Sequence, residues 1–318
     1  MGGTLTRGYA IAAAVAVALA LAVLVPVIRA ASRPAQRRQL LLFGALQLPM
    51  AALLLYGVRG PLLRPLWRAL AERFDPSGAE ALAAHAPDAL ARSPLLAALL
   101  AIEAPLSEEL GKVFPLLLVW AVPAWRARLA PAHEGARVPL AMAVGLGFGL
   151  GEIVLLAHLG SASPAVRDLP WHALSGFIGE RAIVCFLHGA LTAAAIHQLG
   201  RGAGRLALGL FASMALHALL NLPVILGEVG AFGLAKKDWL VVSAIWLQLF
   251  LLGALAALRL AHTRRGGKRR AFLGRARCPS CDAVYDRPIF GLNFPHRRYE
   301  RCGACGRWHW TPLRGVEE

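Results

Sequence analysis

Charge is scarce in this chain. Only 16% of its 318 residues are Asp, Glu, Lys or Arg, against about a quarter in an ordinary soluble domain. Hydrophobic residues make up 57%, and the mean hydropathy is +0.55. That balance excludes a soluble globular protein and reads as a polytopic membrane protein. Acidic residues are scarcer still: 18 Asp and Glu face 34 Lys and Arg, a formal charge of +16. Nucleic acid, anionic lipid and topology signals can each call for such an excess, and in a chain this apolar topology comes first. Cysteine is also rare. Cys185 lies alone in an apolar segment, and the other four form two Cys-x-x-Cys pairs near the C-terminus, a usage that favours metal ligation over a disulfide framework. No internal repeat and no His-Glu-x-x-His motif is visible.

What is abundant is long apolar runs, and they predict an all-α polytopic membrane protein with about seven transmembrane helices. Residues 9–28 form the first, read as a retained anchor because its basic cluster (Arg29, Arg33, Arg37, Arg38) follows the run. Residues 39–58 form the second. Residues 62–74 alternate Leu, Trp and Phe with Arg64, Arg68 and Arg73, as an interfacial amphipathic helix would, and 75–94 is a polar, Ala-rich loop. The remaining spans are 95–122, interrupted by Pro105 and Pro115, then 138–159, 171–199, 206–226 and 239–262. An outside N-terminus puts the Arg clusters after spans one, three, five and seven in the cytoplasm. One loop disagrees, with Arg59, Arg64, Arg68, Arg73 and Arg92 on the outer side. The chain thus divides into N-terminal helices (1–94), a membrane core (95–262), a basic linker (263–277) and a C-terminal module (278–318).

The third span carries Glu108, Glu109 and Lys112. Each charge near mid-bilayer costs about 2.5 to 3.5 kcal/mol on insertion scales, so the cluster is a functional-site hypothesis. Lys112 stands i+4 from Glu108 and i+3 from Glu109, a spacing that places its ammonium over both carboxylates. Two adjacent acids in low dielectric do not both ionise readily, which leaves one of them as a base. Later spans add Glu152, directly after Gly145, Gly147, Gly149 and Gly151, then Arg181 with His188, then His217 with Asn221. Helical rise puts Lys112, Glu152, His188 and His217 in one layer, roughly 15 to 21 Å from the cytoplasmic ends. Asn221 faces the same way as His217, and Arg181 lies two turns from His188, placed to hold a carboxylate.

These residues supply the parts of peptide hydrolysis. Glu108 or Glu109 takes a proton from water, His188 and His217 polarise that water directly or through a metal, and Asn221 donates to the oxyanion. Other readings use the same residues: an interhelical ion-pair staple, a Glu152–Arg181 pair, or the Glu/Lys/His relay of a proton-coupled transporter or channel. An inactive partner-binding protein is a further one.

Glu-Glu-x-x-Lys at 108–112, a Gly-rich helix ending in Glu152, Arg181 with His188, and His-x-x-x-Asn at 217–221 resemble the PrsW-type intramembrane proteases, relatives of the CAAX-prenyl endopeptidases and bacteriocin-processing proteins. The resemblance covers about residues 95–226, with the motifs in the family's order. It implies a bundle of membrane helices in a prokaryotic cell membrane, cutting a membrane-associated protein such as an anti-sigma-factor-like single-span substrate. It also implies two options at the site: a catalytic zinc on His188 and His217, or a glutamate base with histidines alone. Ile153 follows Glu152 where the family often has Asn.

Cys278-Pro-Ser-Cys281 and Cys302-Gly-Ala-Cys305 have the spacing of a zinc ribbon, with four thiolates on a structural zinc and, by its basic flank, a cytoplasmic position. Arg297, Arg298, Arg301 and Arg307 with Tyr299, Trp308 and Trp310 suit a protein partner, the membrane domain or lipid better than nucleic acid. His296 and His309 are spare.

Overall fold

The computed structural model describes residues 5–32, 34–76, 80, 93–129, 137–163, 168–199, 201–263, 273–288, 290–294 and 296–313. Arg33, Arg92, most of the 75–94 loop and 264–272 of the basic linker lie outside the described residues.

The first helix, α1 (Arg7–Ala31), carries no charge between Arg7 and Arg29. Its buried stripe is Ala12, Ala16, Ala20, Leu24 and Ile28, a four-residue repeat of mostly small side chains that lets other helices approach closely. A short 3₁₀ turn (Pro34–Gln36) leads into α2 (Arg37–Gln47) and α3 (Met50–Leu53). The chain then continues as a π-helical stretch (Leu54–Leu63) and α4 (Arg64–Phe74). The second span and the amphipathic helix are therefore one continuous rod. Pro61 has no N–H to offer the carbonyl four residues back, and the ladder widens there without breaking.

After α5 (Pro94–Ala121) and α6 (Pro123–Leu129) come α7 (Arg137–Ser161), α8 (Ser175–Ile196), α9 (Ala203–Glu228) and α10 (Lys236–Thr263). Among the described residues, six helical segments are long and apolar enough to cross a membrane: α1, the α2–α4 rod, α7, the segment ending in α8, α9 and α10. α5 stands apart because Glu103, Glu108, Glu109 and Lys112 lie along it, and all four side chains are buried against neighbours.

Contacts between helices set their directions. Thr6 N–H donates to Ser161 Oγ (3.2 Å) and Arg137 donates to the His197 carbonyl (2.9 Å), so α1 and α8 each run antiparallel to α7. A Cβ on Gly147 would fall 1.9 Å from the Gly44 carbonyl oxygen, and one on Gly151 2.0 Å from that of Leu48; α2 is therefore parallel to α7 and touches it backbone to backbone. The alternate glycines serve the other side: a Cβ on Gly145 would lie 2.1 Å from Gly189 N, and one on Gly149 2.6 Å from Cys185 Sγ. Alternate glycines thus sandwich α7 between α2 and α8.

The C-terminal module holds an antiparallel pair, β1 (Arg275–Arg277) with β2 (Val284–Asp286), and a three-stranded sheet in the order β3 (Gly291–Asn293), β4 (Arg297–Arg301), β5 (Trp308–Pro312). Glu300, wholly buried on β4, accepts from Arg287 (2.8 Å), Arg298 (3.0 Å), Thr311 (2.5 Å) and Tyr285 (3.2 Å). Burial and the Glu300 charge push the Tyr285 hydroxyl above its ordinary pKa and keep it a donor.

Candidate active site

The cluster is built around Lys112, which has no exposed surface. Its Nζ lies 2.6 Å from Glu109 Oε1, one turn back on α5, and 2.7 Å from His188 Nδ1 on α8. The Phe148 ring of α7 stands 4.6 Å below the ammonium and adds a cation–π contact. A lone ammonium at this burial would be prohibitive; two polar partners and an aromatic face make it tolerable.

Glu109, equally buried, is saturated. Oε1 also faces His217 Nδ1 at 2.8 Å, while Oε2 accepts from Ser213 Oγ at 2.6 Å and from Thr192 Oγ1 at 3.5 Å. Across the cluster, His188 Nε2 lies 3.0 Å from Glu152 Oε2, and Arg181 Nη1 is 3.3 Å from that same oxygen. Arg181 also pairs with Glu180.

Glu108 takes a different partner from the one expected. Lys112 does not bridge both acids; it turns inward to Glu109 and His188, and Glu108 Oε1 is held at 2.8 Å by Arg59 from the π-helical stretch. Arg59 is anchored in turn by Ser107 Oγ (2.8 Å) and the Ala104 carbonyl (3.2 Å). An incoming guanidinium with several fixed donors displaces a flexible ammonium that has a better site elsewhere. The other oxygen, Glu108 Oε2, is buried without a hydrogen-bond partner and lies 3.8 Å from His217 Nε2. One ligand atom each from Glu108, His188 and His217 come within 4.8 Å of one another.

The structure thus brings together Glu108, Glu109, Lys112, Glu152, Arg181, His188 and His217. Asn221 sits one turn beyond His217, half-buried, with no side-chain hydrogen bond among the described residues. Arg59, Ser213, Thr192 and Ser107 were not anticipated. The signal for two of them was present, since Ser213 lies four residues before His217 and Thr192 four after His188, on the same helix faces. For Arg59 the hint was its charge on the wrong side of the topology.

No protein family model, no curated protein and no solved structure matches this chain.

In the C-terminal module Cys278, Cys281, Cys302 and Cys305 lie close together, each offering a sulfur within 4.8 Å of the others. Cys278 and Cys305 sulfurs are 3.7 Å apart, and those of Cys281 and Cys302 are 3.9 Å apart. Thiolates about 2.3 Å from a tetrahedral ion stand about 3.8 Å from each other, so the residues fit a metal. The two knuckles are built alike. Asp282 and Gly306, each one place past the second cysteine, take positive φ (58° and 74°), and each N–H bonds back to the first cysteine's carbonyl at 2.9 Å. Amides of Ser280, Ala304 and Cys305 point at cysteine sulfurs (3.3, 3.3 and 3.4 Å), as donors stabilising thiolates do. His309 is not spare: it is buried and lies 3.0 Å from the Tyr285 hydroxyl.

Proposed function

We propose that the chain is an intramembrane peptidase of the PrsW kind, crossing a prokaryotic cell membrane with α5 as a seventh span beside the six apolar segments, and that Glu108 is its base. One observation carries the reading. Glu108 Oε2 is buried, unpartnered and aimed at a histidine nitrogen, whereas both oxygens of Glu109 are consumed by four neighbours.

Glu109 accepts from His217 Nδ1–H, which leaves the Nε2 lone pair toward Glu108. A water held by both groups donates one hydrogen to Glu108 Oε2 and the other to His217 Nε2. Its oxygen is then directed at a scissile carbonyl. As the C–O bond forms, Glu108 takes the proton and the carbonyl oxygen becomes an oxyanion, within the reach assigned to the Asn221 amide. Collapse breaks the C–N bond, and Glu108 returns its proton to the leaving amine. Arg59 keeps Glu108 oriented through the oxygen that does not face the water.

Zinc suits the cysteine module as a structural ion. The membrane cluster fits it poorly. His188 faces the Lys112 ammonium with Nδ1 and Glu152 with Nε2, so neither nitrogen offers a free lone pair to a cation. The mechanism is therefore written with a glutamate base and histidine alone. The ribbon is placed in the cytoplasm with a protein partner or the bilayer as its contact, and the substrate is a single-span protein of the anti-sigma-factor type.

A relay is favoured by a different feature, the unbroken chain Glu152–His188–Lys112–Glu109–His217, which is what proton transfer in a transporter needs. The two readings part on Glu108, which hangs outside that chain. Protein reconstituted with tagged single-span candidates should cleave one of them, and Glu108→Gln should abolish cleavage. Cleavage that persists in Glu108→Gln would sink the assignment, and proton flux without cleavage would favour the relay.

A further inference from the structure

On the outside of the bundle a groove of about 470 Å³ opens between α1, α2 and α7, inside the range of about 300 to 1,000 Å³ found for small-molecule sites. It shares no lining residue with the charged cluster. Its walls are apolar, with Leu21 and Val25 from α1, Leu40 and Leu41 from α2, and Leu146 and Leu150 from α7. Leu41 is 73% exposed on the outer rim. Polar lining is confined to the end where α1 hands over to α2: Arg29, Ser32 and Arg37. Among the described residues neither arginine side chain has an ion pair or a hydrogen bond.

We propose that this groove binds one anionic phospholipid, with an acyl chain along the leucine walls and its phosphate between Arg29 and Arg37. The dimensions suit it. From Leu21 to Arg29 the helix rises about 12 Å, close to one leaflet's share of a hydrocarbon core about 30 Å thick. The charge suits it too, because two uncompensated guanidinium groups at the mouth of an apolar groove match a phosphate and leave a zwitterionic headgroup's ammonium without a partner. The arginine cluster after α1 belongs to the side that the charge bias assigns to the cytoplasm, where the leaflet is anionic. A purely polar ligand would leave the leucine walls wet, and a bare apolar helix would leave both arginines unpaired.

The full-length protein, placed in nanodiscs of equal parts phosphatidylglycerol and phosphatidylcholine and then moved to detergent, should retain phosphatidylglycerol selectively by native mass spectrometry. Arg29→Gln with Arg37→Gln should cut that preference roughly thirty-fold, about five-fold per arginine. Ala45→Trp, which fills the groove from an exposed wall position, should lower retention of both lipids while the thermal transition stays in place. Added inorganic phosphate should not displace the lipid. Equal retention of the two lipids, an unchanged preference in the double variant, displacement by phosphate, or a lipid-free dimer whose association Ala45→Trp abolishes would each overturn the proposal.

Discussion

Glu108 and Glu109 are neighbours in sequence, identical in chemistry and both buried, yet their surroundings divide their tasks. Glu109 neutralises Lys112 and holds His217; Glu108 keeps an oxygen free. The consequences of losing each should therefore separate. Glu109→Gln strands a buried ammonium and should destabilise the fold by about 3 to 5 kcal/mol, read as a large drop in the thermal transition, and Lys112→Met in the same chain should recover most of that loss. Glu108→Gln should leave the transition close to wild type, because Arg59 retains Ser107 and the Ala104 carbonyl as acceptors, and should remove turnover. If Glu108→Gln melts early while Glu109→Gln is stable and inactive, the two roles are reversed.

At the scale of elements, α7 is the part that cannot be altered cheaply. Gly147 meets the Gly44 carbonyl and Gly145 meets the Gly189 amide at distances no side chain could occupy, so the helix works as a spacer-free plate between α2 and α8. Gly147→Ala and Gly145→Ala should each push a neighbouring backbone away and cost about 1 to 3 kcal/mol or more, with activity falling because Glu152 and Phe148 ride on the same helix. Gly176→Ala and Gly204→Ala are the controls. A Cβ there meets nothing within 4 Å, and both glycines stand in the first turn of their helices, so these substitutions should leave stability nearly unchanged. Equal damage from all four substitutions, measured by thermal unfolding in one detergent, would show that close helix contact is not what these glycines provide.

For the whole molecule the decisive test is metal content. Full-length protein should carry about one zinc per chain, and a truncation ending at His262 should carry none. Acid or a chelator should strip that ion, since each thiolate must be deprotonated to ligate, and should unfold the ribbon while leaving the helices intact. A metal ion retained by the truncated chain would contradict the metal-free reading of the membrane cluster. The sequence by itself determined the helical class, the C-terminal cysteine quartet and the identity of most of the charges buried among the helices. Each of these follows from composition, length or spacing within one element: a charge inside an apolar run announces itself, and Cys-x-x-Cys closes on one ion locally. Only the tertiary structure decided which groups pair. Helical periodicity put Lys112 within reach of both Glu108 and Glu109, and the choice between them fell to Arg59, which comes from another rod and whose approach no local spacing encodes. The same holds for Ser213 and Thr192, ordinary hydroxyls until the packing of α9 and α8 aims them at Glu109. Burial does not tolerate an unpaired charge, so the partner supplied by the fold fixes the role of each of the two glutamates.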